Sequence, residues 1–326
     1  MSTAAIPGAP LPVRTPGSRA RGRHRRPERP QVPVNAPALV LAIPAEATPA
    51  GLTLVEELVS AIRGEQPGIE IAAGWLPSAL APQAEHLDGA ESADGEGLPQ
   101  AVEQPTPTVE QLIGAALAAG MPAPVLLPLL PGPHAYLTEL HALAAETGAL
   151  VTDPLGPHPL LAEAVHVRLS EAGLARADRA RLFAITTAAD GVVLTTIGGA
   201  EAADAAGITG VLLAARLAVP VVAAALDVPG SVAAAVEHLR ATGSQRPALA
   251  PLVFGPEAPE ELLLAAAEET GCPSAAVLGA YPTLGQLIAS AYLAVLPEPT
   301  EAPVGEPVVE GPLAEAPSVE EAGAGE

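Results

Sequence analysis

From residue 38 onward the chain alternates short, continuously apolar runs with longer stretches whose apolar residues recur every three or four positions. Ala38–Ile43 has the length and composition of a buried strand. In Thr53–Arg63, Leu54, Leu58 and Ile62 share one stripe, which predicts a helix. Ile69–Trp75 reads as a second strand. Thr108 caps a helix that runs to Ala119 and is stopped by Gly120. Val125–Leu130 is apolar throughout, as a parallel strand covered on both faces requires. A helix from about His134 to Glu146, a brief strand at Leu150–Thr152 and a helix from about His158 to Ala172 complete the series. The same alternation then resumes. Strands are predicted near Val192–Ile197, Val219–Leu226, Leu249–Phe254 and Ala275–Leu278, with helices near 201–217, 231–242, 257–270 and 281–295. Strand–helix alternation with short connections predicts parallel sheets with right-handed crossovers.

The resumption is a duplication. Moved forward by 123 positions, residues 108–169 fall on 231–292 without a gap. Pro128-Leu129 meets Pro251-Leu252, Gly132-Pro133 meets Gly255-Pro256, and Glu146-Thr147-Gly148 meets Glu269-Thr270-Gly271. Leu155-Gly156 meets Leu278-Gly279, and Pro159 meets Pro282. Upstream, residues 38–77 match 191–230 at an offset of 153, pairing Leu41 with Leu194 and Pro67 with Pro220. The change of offset places an insertion in the first copy near residues 78–107, an acidic, base-free stretch expected to be a disordered loop. The expected organisation is a basic arm over 1–34, a first lobe over 35–173 containing that insertion, a linker over 174–190, a second lobe over 191–296 and an acidic tail over 297–326.

Composition adjusts this picture in three places. Aromatic residues are only 2% of the chain while 49% is apolar, so the core is built from Ala, Val and Leu. The formal net charge of −22 is uneven: residues 1–30 hold seven Arg against Glu28, and residues 297–326 hold eight Glu and no base. The acidic body excludes nonspecific binding to a polyphosphate backbone, so no nucleic-acid partner is expected. Cys272 is the single cysteine, which rules out a disulfide framework within the chain and fits a cytoplasmic setting. The longest apolar stretch, about 205–226, is broken by Arg216 and Pro220 and ends at Asp227. It reads as a buried helix followed by a strand, with no membrane span.

Ligands of open parallel sheets bind beyond the carboxyl ends of the strands. His134, after the third strand in Pro131-Gly132-Pro133-His134, and His158, after the fourth in Leu155-Gly156-Pro157-His158, both stand there at helix starts. A helix N-terminus disfavours the imidazolium, leaving the neutral ring that binds a metal or accepts a proton. By the repeat, His134 corresponds to Glu257 and His158 to Tyr281. If the lobes face one another across a pseudo-twofold cleft, His134 and Glu257 line one pocket; the plainer reading makes both exposed first-turn residues. His141 and His166 read as surface residues, His24 and His86 fall in segments expected to be disordered, and His238 lies on an ordinary helix. No nucleophile elbow, P-loop or HExxH motif is present.

The Pro-Gly-x-His run at 131–134, the run Pro154-Leu155-Gly156-Pro157-His158-Pro159-Leu160 and the tandem duplication together resemble the sirohydrochlorin chelatases, the class II tetrapyrrole chelatases of cobalamin and sirohaem biosynthesis. The resemblance covers most of residues 36–296. It implies two tandem chelatase-like, flavodoxin-like parallel-sheet lobes. It also implies insertion of Co2+, Fe2+ or Ni2+, as substrate, into a sirohydrochlorin-type tetrapyrrole between the lobes, with no organic cofactor. His134 matches the second family histidine. The first, normally in a His-Gly-Ser run after the first strand, is replaced by Pro44 in one copy and Ile197 in the other. Of four possible histidines one remains, and His134, Glu257 and Glu46 become the candidate metal or proton-accepting residues. The alternative is a non-catalytic relative that binds metal or tetrapyrrole or serves as a partner subunit. Fusion of the lobes removes the need for a homodimer.

Overall fold

The computed structural model describes residues 32–76 (Val34 excepted), 106–175 and 189–296. Nearly all of the expected basic arm and of the acidic insertion, most of the linker and the whole acidic tail lie outside the described residues. The first lobe is built from β1 (Leu39–Ile43), α1 (Pro49–Glu65), β2 (Ile71–Trp75), α2 (Val109–Ala118), β3 (Val125–Pro128), α3 (Tyr136–Thr147), β4 (Leu150–Val151) and α4 (Pro159–Glu171). The second contains β5 (Gly191–Thr196), α5 (Gly199–Leu217), β6 (Val221–Ala225), α6 (Ser231–Ala241), β7 (Pro247–Pro251), α7 (Glu260–Thr270) and α8 (Pro282–Val295). Both sheets are parallel, in the orders β2-β1-β3-β4 and β6-β5-β7.

Strand register makes the duplication physical. Leu39 pairs with Val125 in the first sheet, and Val192 with Ala248 in the second, so β3 and β7 correspond at the offset of 123. The pair Leu126–Val151 corresponds likewise to the bridge Leu249–Ser274. Helices α3 and α7 both end on Glu-Thr-Gly, with Gly148 and Gly271 in the left-handed conformation that stops a helix.

Two expectations change. The offset of 153 holds for β1 but not for β2, because Leu39 pairs with Ile71 while Val192 pairs with Val221, an offset of 150. Pro67 and Pro220 are therefore not equivalent. The turn from β1 to α1 spans 44–48, whereas β5 reaches α5 through Ile197 and Gly198 alone, so the second copy is shorter there. The predicted strand at Ala275–Leu278 is reduced to the bridge at Ser274. Pro273 has no N–H to donate at this sheet edge; it only accepts, from the Leu249 amide. Helix α1 also begins earlier than its apolar stripe, at Pro49, since the Thr48 side chain accepts the Gly51 amide hydrogen (3.1 Å).

Alternation along the strands sorts the core. Leu39, Leu41 and Ile43 belong with α1 and α8, whereas Val40 and Ala42 pack with Val109, Ile113, Tyr136 and Leu140. In the second lobe Val192 and Leu194 join the same large core as the first set, and Val193 faces α6. That core is continuous because the closing helices cross over. Helix α8 packs on α1 and β3 of the first lobe, α4 packs on α5 and β7 of the second, and the two touch. The α1–α8 crossing is close: a Cβ on Gly285 would lie 2.8 Å from the Ala61 carbonyl carbon. Tyr292, fully buried on α8, donates its hydroxyl to the Pro37 carbonyl (2.6 Å) at the entry to β1. Among the described residues no helix is long and apolar enough to cross a membrane.

Candidate functional site

The carboxyl end of β3 delivers the loop that carries His134. Leu129 N donates to Ala42 O (2.9 Å), holding the chain beside β1 until Pro131-Gly132-Pro133 turns it into α3. The His134 ring then folds back on its own helix: Nδ1 accepts the Tyr136 amide hydrogen (3.1 Å). An amide N–H only donates, so Nδ1 bears a lone pair and the proton of the neutral ring sits on Nε2. Burial lowers the pKa of His134, while the carboxylates of Asp227 and Glu139 pull it back up.

His134 lies at the junction of the lobes. Its Cδ2 edge, adjacent to Nε2, meets Gly198 at the start of α5, where an added Cβ would come within 3.2 Å of Cδ2 and would clash with the Pro133 carbonyl oxygen. Gly198 has φ +114, so both its backbone conformation and its lack of a side chain are required. Asp227, just past β6, ties this corner together. Its Oδ2 accepts from Gly198 N (3.0 Å), and both of its oxygens accept from Gly199 N (3.1 and 3.0 Å). The carboxylate thus caps α5, satisfying amides that the helix leaves unpaired. Sequence reasoning treated Asp227 only as the end of an apolar run. The available signal was its position two residues past the end of β6, where open parallel sheets place their ligand-facing groups.

Glu257 is placed differently. It is buried, and its carboxylate accepts from Phe254 N and from Gly255 N (2.9 Å) within its own loop. Burial raises its pKa from the usual 4.5 to about 7 against the opposing pull of these amides. No hydrogen bond or ion pair joins Glu257 to His134 among the described residues. The β7 loop meets α1 instead: a Cβ on Gly255 would lie 3.7 Å from the Leu54 side chain. The pseudo-twofold relation therefore yields two junctions, the β3 loop against the start of α5 and the β7 loop against α1. Glu46 is exposed in the turn between β1 and α1.

The remaining histidines sort by packing. His158 caps α4, its Nδ1 accepting the Leu160 amide hydrogen (3.1 Å). Its loop runs along the His134 loop, with Leu155 N donating to Leu130 O (3.0 Å) and Gly156 packed against the Pro131 carbonyl. His141 is exposed. His166, expected on the surface, is buried, and its Nδ1 accepts from Arg216 Nε (2.9 Å), because the crossover of α4 onto α5 covers it. Arg168 donates twice to the Leu278 carbonyl of the second lobe (3.1 and 2.7 Å). Both arginines therefore hold the lobes together. No group of three or more His, Cys, Asp or Glu among the described residues is arranged to hold a metal ion.

No protein-family model and no curated protein sequence matches the chain. Solved structures do. SirB from Bacillus subtilis, determined with Fe3+, aligns at 13% identity over 78% of this chain and 94% of its own, with a TM-score of 0.50. CbiX, described as the terminal enzyme for sirohaem biosynthesis in denitrifying bacteria, aligns at 16% identity over 80% of this chain and all of its own, with a TM-score of 0.49. The chain has the two-lobed parallel-sheet fold of SirB, which is the architecture implied by its resemblance to the sirohydrochlorin chelatases.

Proposed function

We propose that the chain is a divergent member of the sirohydrochlorin chelatase family that takes a tetrapyrrole at the junction of its strand ends, and that metal insertion is its reaction. The observation that carries this reading is the placement of His134 at the carboxyl end of β3, against Gly198 and beside Asp227 of the other lobe. The presence of Fe3+ in the SirB structure agrees with it. Insertion of Co2+, Fe2+ or Ni2+ releases two pyrrole N–H protons, so the site needs a ligand or base that is neutral or anionic. His134 fills that role in this proposal, with carboxylate help from Glu257 and Glu46. For Nε2 to accept a metal or a proton, the ring must first exchange its Tyr136 amide bond for a proton on Nδ1. That rearrangement costs about 1 kcal/mol, the net worth of one hydrogen bond.

A second reading, a non-catalytic relative that binds the tetrapyrrole or metal, is favoured by two engagements. The Nδ1 of His134 and the carboxylate of Glu257 are both already committed to backbone amides. Anaerobic Co2+ insertion into sirohydrochlorin, followed by absorbance for the wild type and His134→Ala, separates the two. Insertion that falls at least about 100-fold in the variant supports catalysis at a general-acid/base level. Saturable tetrapyrrole binding without turnover supports the binding protein. The absence of both would overturn the family reading.

A further inference from the structure

Helix α5 is apolar on the side that faces away from its sheet. Its sheet-facing residues Ala202, Ala206, Thr209, Gly210 and Leu213 are buried. On the opposite side Ile208 and Val211 are 57% and 69% exposed, and the adjoining Leu212 is 38% exposed. Asp204, Ile208, Val211 and Ala215 follow one another at steps of four, three and four residues, the spacing of a seam that packs helix against helix. The duplication supplies an internal control. Buried positions align α1 with α5 at an offset of 151, pairing Gly51 with Ala202, Val55 with Ala206, Leu58 with Thr209 and Ile62 with Leu213. At that offset Ile208 and Val211 stand where α1 exposes Glu57 and Ser60. The first copy thus shows what a solvated face of this helix carries, and the second copy has exchanged it for a contiguous apolar patch, the mark of an interaction surface.

We infer that the outer face of α5 pairs with the same face of a second copy of this chain, the two helices running antiparallel about a two-fold axis. Charge selects this occupant. A net charge of −22 resists self-association, so a shared interface needs a centre without acids, and residues 205–215 carry no charge at all. Acids stand at the N-terminal end of the seam, Glu201 and Asp204, and Arg216 stands at its C-terminal end. That arrangement complements itself when reversed, as a two-fold contact requires. An axis midway between Ile208 and Val211 sets each against the other's counterpart. It also brings Arg216 level with residue 203 of the second copy, between Glu201 and Asp204. A parallel pair would stack acid on acid. Arg216 is exposed and tethered through Nε to His166, so its position at the rim is held in advance. The seam is one helix face, small beside the roughly 800 Å2 per partner of an ordinary stable interface, so the pairing is reversible. It uses a different face from the contact between the fused lobes and does not depend on the tetrapyrrole reading.

Sedimentation equilibrium of the full chain at near-physiological salt tests the pairing. The wild type should pass from monomer to dimer between about 1 and 200 μM. Ile208→Glu combined with Val211→Ser gives α5 the residues that α1 carries at these positions. Both changes are at exposed sites, so the fold should persist by circular dichroism while pairing weakens at least about ten-fold. A cysteine scan locates the contact independently. The single native cysteine, Cys272, is buried, so an added thiol reports on its own surroundings. Under mild oxidation Val211→Cys, beside the proposed axis, should form a disulfide-linked dimer. Leu264→Cys, on α7 and similarly exposed at 56%, should link at least about ten-fold more slowly. A wild type that stays monomeric over the whole range would overturn the inference, whether the seam then meets solvent, another segment of this chain or a different protein. A dimer that survives the paired Ile208 and Val211 changes, or that Leu264→Cys captures as fast as Val211→Cys, would overturn it equally.

Discussion

At the scale of single residues, two carboxylates near the strand ends behave in opposite ways. Asp227 is exposed, and its oxygens neutralise the amide-rich start of α5. Replacing it with Ala removes that cap, and the expected loss is about 1 kcal/mol of stability by denaturant unfolding. Because Asp227 also favours the charged form of His134, the imidazole of the variant should titrate at still lower pH by NMR. Glu257 is buried and holds its proton up to about pH 7. Its folded-state pKa exceeds the usual 4.5, so the folded chain binds this proton more tightly than the unfolded one. The resulting stability is fully present below the unfolded value and is lost as pH rises through the folded one, on the order of 3 kcal/mol in all. Glu257→Gln removes the titration. The variant's unfolding free energy should therefore fall less than the wild type's between about pH 5 and pH 8. Comparing the two cancels the self-repulsion of the acidic body. Equal slopes would show that Glu257 is ionised throughout.

At the scale of elements, the close approach of α1 and α8 depends on small residues. Gly285 touches the backbone of Ala61, with 2.8 Å to its carbonyl carbon for an added Cβ, so a larger side chain must push the helices apart. Gly285→Leu should cost about 1–3 kcal/mol by overpacking and lower the melting temperature. Gly114 is the useful control, since a Cβ there meets nothing within 4 Å and Gly114→Ala lies within helix α2. That substitution should be neutral or stabilising by up to about 1 kcal/mol. Helix starts were only partly legible in the sequence. The stripe of Leu54, Leu58 and Ile62 located α1 but not its first turn, because Thr48 and Pro49 define that turn through capping and fixed φ rather than through hydrophobicity.

For the molecule as a whole, the exchange of closing helices makes each lobe's core depend on the other. Leu284, Leu287, Ile288 and Tyr292 of α8 share one buried cluster with Leu39, Leu41 and Ile43 of the first lobe, and with Val192 and Leu194 of the second. Each such side chain contributes about 1.5–3 kcal/mol by burial, and none of α8's contribution survives if the lobes separate. The lobes should therefore unfold in one calorimetric transition whose van't Hoff and calorimetric enthalpies agree. Two resolved transitions would mean that the shared core does not couple them.

What the sequence by itself determined is the repeat of 108–169 in 231–292 and the place of each strand that forms among the described residues, though it also predicted one at Ala275–Leu278 that is only a bridge. Buried parallel strands must be continuously apolar, and a copied stretch of chain keeps its Pro, Gly and Glu-Thr-Gly punctuation in step, as residues 108–169 and 231–292 do. Tertiary structure alone decided what the site residues do. The pairing of β5 with β6 brings Asp227 to Gly198, and the crossover of α4 buries His166 against Arg216. Turns of a few atoms' length direct His134 Nδ1 and the Glu257 carboxylate onto backbone amides. Such choices depend on distances of about 3 Å between groups far apart in the chain or on a loop's exact path, and hydrophobic periodicity carries no record of either.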